Sequence, residues 1–249
     1  RNTSNIHWLT TWDGVFDAES AHALLVAADE QVRPLFHTDS RYATAAQLAA
    51  AATDEVVQVD ASPRRHEVSL AEQLRELSTD DASCRLAIEN DMELAEFRRL
   101  EQQCGEICPH PAETDRVIFH LRAVKDAEEL ARMRAAQAIT DAAFAYIITV
   151  MRPGMTEREV ALQLNDYMLQ HGAEGLAFPS IVATGANGAS PHAIPGETRL
   201  EAGQCVVMDF GARARSYCSD MTRVVFLGEP DARMAAAWAA LRDATESVE

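Results

Sequence analysis

Two helix-start signals, placed one after the other, constrain the fold of this chain more than any other feature. Asp126 is followed three residues later by Glu129, and Thr156 is followed at the same spacing by Glu159. In such a capping box, each side chain accepts a hydrogen bond from the backbone N–H of the other residue. Apolar side chains follow each box at helical spacing, and a Pro-Gly pair at 153–154 separates the two segments. The sequence therefore predicts two consecutive helices.

The residues before the first box alternate between strand-like runs and helical segments. Their apolar side chains recur either in short continuous runs or at helical spacing. This pattern predicts a small α/β unit. The expected strands are 6–10, 23–27, 32–37, 56–59, 84–88 and 117–121, and the expected helices are 43–52, 68–77 and 92–102.

The charge balance and the cysteine count exclude several environments and partners. Lys and Arg total 22 against 39 Asp and Glu, a formal net charge of −17 that repels nucleic acid. No apolar run approaches the ~20 residues that a membrane span requires, so no membrane partner is expected. Five cysteines are an odd number in a chain too large to need disulfides. We therefore expect reduced thiols and a cytoplasmic location.

The densest chemical signal is a pair of strand-like segments that each carry one aspartate. Asp209 lies in the segment 205–211, and Asp220 lies in the segment 217–227. If the strands pair about the middle of residues 214–215, the two aspartates face each other directly. Opposed residues of a hairpin share a face, with Cβ atoms about 5 Å apart. The sequence therefore predicts two adjacent carboxylates.

Two carboxylates held this close repel one another, so the arrangement requires a cation or a shared proton. A bound metal ion meets this requirement best. Two other interpretations stay open on spacing alone. One is a solvated acidic hairpin with a different register, and the other is a carboxylate dyad that shares a proton.

Three further segments occur together in a specific order: a loop with His192, a strand with Asp209 and a Ser-Asp-Met-Thr-Arg run with Asp220. They span residues 190–196, 200–212 and 217–223. Together they resemble the pita-bread metallopeptidases, most closely the Xaa-Pro peptidases aminopeptidase P and prolidase. Residues 124–130 are similar to the opening of that catalytic domain. Residues 5–10 and 38–42 are similar to the creatinase-like domain that precedes it.

The resemblance implies an α/β (α+β) fold with two domains. A creatinase-like N-terminal α/β domain, residues 1–122, precedes the first half of a pita-bread catalytic domain, residues 123–249. The resemblance also implies that the chain is truncated at both ends, because a further histidine and two glutamate ligands of the family lie beyond Glu249. The chain by itself is therefore expected to be inactive.

On the same resemblance, Asp209 and Asp220 are ligands of a two-metal centre, with Asp220 bridging both ions. Carboxylate-rich sites favour hard or borderline cations, so Mn²⁺ comes first, with Co²⁺ and Zn²⁺ as rivals. The implied reaction is hydrolysis of the bond before proline in a peptide, with a metal-bridging hydroxide attacking the carbonyl carbon. His192 is implied to be a catalytic contact to the substrate rather than a metal ligand. The intact protein is expected to be a homodimer.

A non-catalytic pita-bread module that binds a peptide or protein is the alternative function. Asp209 and Asp220 favour the peptidase, because a binding module has no use for two repelling acids. The glycines of residues 185–188 lack the lysine of a phosphate-binding loop. We interpret them as a wall of the substrate cleft.

Overall fold

The computed structural model of the chain divides into two compact units, Arg1–Lys125 and Asp126–Glu249, whereas the sequence places the boundary between residues 122 and 123. The structure describes residues 1–16, 21–53, 56–78, 85–114 and 116–247. Cys84 and Glu249 lie outside these ranges. Both units combine helices with sheets, which confirms the predicted α/β class. No helix in the described ranges has the length and apolar character needed to cross a bilayer.

The first unit packs short helices against small sheets. Its helices are α1 (Thr3–Thr10), α2 (Ala43–Ala52), α3 (His66–Leu77), α4 (Leu94–Cys104) and α5 (Val117–Ala123), and its strands are β1 (His22–Leu25), β2 (Leu35–Thr38), β3 (Gln58–Asp60), β4 (Ala87–Ile88) and β5 (Ala112–Glu113). Strand β2 is central, antiparallel to β1 and parallel to β3. The rings of Trp12 and Phe36 meet edge-on in the core, with centroids 5.2 Å apart.

The predictions for this unit are confirmed at α2, whose bounds match, and are wrong at two apolar runs. Residues 6–10 belong to α1 rather than to a strand, because Asn2 caps that helix by accepting from the backbone N–H of Asn5 at 3.1 Å. Residues 117–121 form α5, and Arg122 Nη1 donates to Asn5 Oδ1 at 2.6 Å. A cap and a tertiary contact therefore outweigh the strand propensity of short apolar runs.

The second unit packs two long helices against two three-stranded antiparallel sheets. Its helices are α6 (Ala127–Val150), α7 (Glu157–Gln170) and α8 (Ala232–Glu246), and its strands are β6 (Gly175–Leu176), β7 (Ile181–Thr184), β8 (Cys205–Phe210), β9 (Ala212–Ala214), β10 (Tyr217–Cys218) and β11 (Met221–Phe226). Strand β8 lies between β7 and β11, and β9 lies between β6 and β10. All four pairings are antiparallel.

Both predicted capping boxes are confirmed. The backbone N–H of Glu129 donates to Asp126 Oδ1 at 2.8 Å, and Glu129 Oε2 accepts from the backbone N–H of Asp126 at 2.9 Å. Thr156 and Glu159 form the same reciprocal pair at 3.1 and 2.7 Å. Each box satisfies N–H groups that the first helical turn leaves without a partner. The two helices therefore begin where the sequence predicts.

Alternation along β8 decides which face of the sheet meets the helices. Val206, Met208 and Phe210 are fully buried. Asp209 alternates with them and is only partly buried. Because successive strand side chains point to opposite faces, Asp209 lies on the face away from the helical core. The helices contribute Ala143, Ile147, Val160, Leu164 and Met168 to that core.

The first unit contains a histidine pair between β2 and α3. His37 Nδ1 and His66 Nδ1 are hydrogen-bonded at 2.5 Å. Burial, together with the positive charges of Arg1 and His37, lowers the pKa of His66 to about 3. Burial also lowers the pKa of His37. Both rings are therefore neutral near neutral pH.

We expect the first unit to lose stability as the pH falls below about 6.5, the pKa of histidine in the unfolded chain. Between that value and the folded-state pKa of about 3 for His66, the unfolded state binds more protons than the folded state. Urea unfolding between about pH 7 and pH 5, above most carboxylate titrations, measures this effect. His66→Gln should weaken the pH dependence. An equal pH dependence in both proteins would contradict the prediction.

Candidate metal site

Asp209 and Asp220 lie on one hairpin, in a register that differs from the predicted one. The ladder between β8 and β11 pairs Asp209 with Thr222, not with Asp220. The predicted direct opposition is therefore wrong by two residues. Because side chains alternate with a period of two, a shift of two positions keeps a residue on the same face. The aspartates are diagonal neighbours rather than opposed residues.

The turn at Arg215 and Ser216 explains the shifted register. Both residues have positive φ, 49° and 63°, which two-residue hairpin turns of type I′ require and Asn and Gly usually supply. Glu174 holds this turn, because Oε1 accepts from the backbone N–H of Arg215 at 2.9 Å and Oε2 from that of Ser216 at 3.1 Å. Neither Arg nor Ser signals such a turn in a sequence. The predicted turn is consequently one residue too early.

Gly211 lets the two chain segments approach closely beside the aspartates. A β-carbon at Gly211 would lie 1.9 Å from the carbonyl oxygen of Ser219, so no other residue fits without a backbone shift. The hydroxyl of Ser219 lies 2.7 Å from Thr140 Oγ1 and accepts at 2.9 Å from the backbone N–H of Ala212. This buried contact fixes the residue before Asp220 against the end of the strand that carries Asp209.

The carboxylates of Asp209 and Asp220 interact across the hairpin. Burial raises the pKa of Asp220, and the charge of Asp209 together with a hydrogen bond between the side chains raises it further. Asp209 Oδ1 also accepts from Thr222 Oγ1 at 2.9 Å. The strand register differs from the predicted one, as the alternative of a solvated acidic hairpin would allow. The two carboxylates nevertheless lie close enough to interact. A divalent cation would remove their repulsion.

The donor chemistry of the pair suits a hard or borderline divalent cation such as Mn²⁺. Across the residues described, no group of three or more His, Cys, Asp or Glu side chains is arranged to hold a metal ion. Two carboxylates match the donor chemistry of such a cation but are fewer ligands than it usually takes.

His192 lies in the loop between β7 and β8 and is exposed. In the described part of the chain, no hydrogen bond or ion pair joins it to either aspartate. The 3₁₀ turn Asn187–Ala189 in this loop packs on the sheet, since a β-carbon at Gly188 would lie 3.9 Å from Val207 Cγ2. Val207 shares the face of Asp209 by strand alternation. The start of the His192 loop and Asp209 therefore lie on the same side of the sheet.

Two glutamates that hold loops around the site carry no functional signal in the sequence. Glu174 binds the hairpin turn, and Glu157 is fully buried beneath the His192 loop. Glu157 is the first residue of α7, where acidic residues are common because they favour the helix dipole. Its position therefore predicts only a helix start. Glu174 lies in a short segment with glycines at 172 and 175, a sequence context that predicts a turn and no function.

The second unit corresponds to a known family. Residues 131–249 match the sequence profile of metallopeptidase family M24. The second unit carries this match over nearly its whole length, and we call it the M24 unit. A curated relative, the uncharacterized peptidase YqhT of Bacillus subtilis, is 42% identical to this chain over 110 residues, which are 44% of this chain and 31% of the relative.

Solved structures extend the similarity beyond the M24 unit. An Xaa-Pro dipeptidase from Bacillus anthracis superposes with a TM-score of 0.79 and 27% identity over 95% of this chain and 61% of its own. An X-Pro aminopeptidase from Thermotoga maritima MSB8 superposes with a TM-score of 0.78 and 30% identity, over 96% of this chain and 63% of its own. The chain thus spans about six-tenths of these proteins. The resemblance to pita-bread Xaa-Pro peptidases is confirmed at the level of fold and family.

We expect Gly211→Ala to destabilise the M24 unit by about 1–3 kcal/mol, because the Ser219 backbone blocks the new methyl group. Gly188→Ala is the matched control, since its β-carbon would meet neighbours only at 3.5 Å and beyond. Denaturant unfolding of both variants measures the difference. Equal stability of the two variants would show that the close approach of residue 211 to the Ser219 carbonyl tolerates a side chain.

Proposed function

We propose that this chain supplies the acidic part of the metal centre of an M24 peptidase that cleaves the bond before proline. The observation that carries the proposal is the pair of interacting carboxylates, Asp209 and Asp220, in a unit of a metallopeptidase family. Similarity to an Xaa-Pro dipeptidase and an X-Pro aminopeptidase supports the proline specificity. The substrate class is therefore a proline-containing peptide.

In this proposal Asp209 and Asp220 would both be ligands of the divalent metal centre. The hydroxyl of Thr222 donates to Asp209 Oδ1 and so orients that carboxylate, as groups beyond the ligands do in metal sites. When bound, a divalent cation supplies Lewis-acid polarisation and lowers the pKa of water. Mn²⁺ is the first candidate, with Co²⁺ and Zn²⁺ as rivals. His192, whose loop packs on the same side of the sheet, contacts the substrate.

We further propose that this chain by itself binds metal weakly and turns over little substrate. Two carboxylates are fewer oxygen ligands than a divalent cation takes, so most of the binding free energy is missing. A homodimer and a cytoplasmic location stay predictions from the resemblance and the cysteine count.

Metal binding is tested by thermal unfolding with and without Mn²⁺. We expect Mn²⁺ at about tenfold its Kd to stabilise the chain by about 1.4 kcal/mol, because it binds only the folded site. Asp209→Asn and Asp220→Asn should abolish this rise in Tm. Asp166→Asn, which removes an exposed acid of α7, should keep it. A rise that persists in both site variants would contradict the metal role.

Peptidase activity is tested by the release of proline from Ala-Pro with added Mn²⁺. In a protein that carries this chain with a full ligand set, Asp220→Asn should lower the rate about a hundredfold or more, because an activating ion is lost. Asp166→Asn should retain the rate. Binding of a proline peptide without any hydrolysis would contradict the proposal and favour the non-catalytic binding module.

A further inference from the structure

Glu157 has a fully buried carboxylate surrounded by three hydrogen-bond donors. Its Oε1 accepts from the backbone N–H of Thr184 at 2.9 Å. Its Oε2 accepts from Asn187 Nδ2 at 2.9 Å and from the backbone N–H of Gly196 at 3.0 Å. A buried carboxylate is costly unless it finds such donors, and hydrogen bonds to a charged acceptor are the stronger ones.

The three donors belong to the two ends of the loop that carries His192. Thr184 is the last residue of β7, and Asn187 begins the 3₁₀ turn that packs on the sheet. Gly196 lies on the far side of His192, where the chain returns toward β8. One carboxylate of α7 therefore joins both limbs of the loop.

The side chain of Glu157 makes a link that the neighbouring backbone does not replace. The backbone N–H of Glu157 donates to the carbonyl of Thr198 at 3.0 Å, which attaches the return limb whatever side chain is present. Between the limbs, Asn187 Nδ2 also donates to the carbonyl of Ile194, but at 3.4 Å. Without the carboxylate, this longer bond would be left to hold Asn187 to the return limb.

We propose that Glu157 is a positioning residue for the active-site loop. Its carboxylate joins the two ends of residues 185–196 to each other and thereby holds His192 above the face that carries Asp209. The 3₁₀ turn that Glu157 anchors through Asn187 packs on that face, so the anchor also determines where the loop meets the sheet. This proposal rests on the proposed function, because it takes His192 as the substrate contact.

Hydrogen exchange of the full chain tests the anchoring without metal or substrate. In Glu157→Gln, a neutral amide replaces the charged carboxylate. Its NH₂ group then faces N–H donors of the loop, with which it cannot form a hydrogen bond. We expect the backbone N–H groups of Thr184 and Gly196 to exchange about tenfold faster or more. Glu159→Gln is the matched control, since it neutralises a carboxylate of the same helix that accepts from Thr156 and not from the loop. Unchanged exchange at Gly196 in Glu157→Gln would overturn the proposal.

Asn187→Ala provides a second variant in case Glu157→Gln does not fold. Asn187 is only partly buried. Its replacement removes one of the three donors and leaves the buried Glu157 carboxylate itself unchanged. We expect faster exchange across residues 185–196 and unchanged exchange in the interior of α7. Exchange equal to that of the wild type throughout the loop would overturn the anchoring role.

Kinetics distinguish positioning from a general structural effect where hydrolysis of Ala-Pro is measurable. Glu157→Gln should lower kcat with little change in KM, and it should have no further effect in a His192→Ala background. Additive losses would overturn the proposal. Faster loop exchange in a protein without hydrolysis would support the anchoring and contradict the proposed function. Hydrolysis together with unchanged loop exchange in Glu157→Gln would support the proposed function and contradict the anchoring.

Discussion

The candidate site depends on the close approach between Gly211 and the carbonyl oxygen of Ser219. No side chain fits between them, and the hydroxyl of Ser219 is held by Thr140 of α6. The contact fixes the chain beside both Asp209 and Asp220. One buried contact therefore ties helix α6 to the two chain segments that carry the acidic pair, and it brings the two carboxylates together.

Much of the second unit could be predicted because its signals are local. The two capping boxes determine where α6 and α7 begin, and alternating apolar residues identify β8 as a strand buried on one face. In the first unit, the alanine-rich composition of α2 predicted its bounds, since alanine has the highest helix propensity. The apolar runs that became α1 and α5 carried no such local support.

The register of the acidic hairpin could not be predicted, because a remote side chain determines it. The carboxylate of Glu174, which precedes the turn by about 40 residues, accepts from the backbone N–H groups of Arg215 and Ser216, and these bonds stabilise their positive φ. The site prediction survived this error in part, since a shift of two residues leaves Asp209 and Asp220 on one face. The place of His192 depends on a loop, where short-range patterns carry little information.

Carboxylates in the second unit serve as backbone anchors as well as candidate ligands. Glu157 and Glu174 each bind backbone N–H groups at the ends of loops, one in the core and one at the surface. The buried bonds are the stronger, because the low dielectric of the interior strengthens them. Part of the net charge of −17 therefore has a structural use.

Glu174 contributes to the choice of strand register from outside the hairpin. A register shifted by two residues keeps the same apolar side chains on the buried face, so burial alone distinguishes poorly between the two registers. The two bonds from the Glu174 carboxylate to the turn, and the close approach of Gly211 to Ser219, favour the observed register. The alignment of the two acids therefore depends on residues that are not themselves candidate ligands.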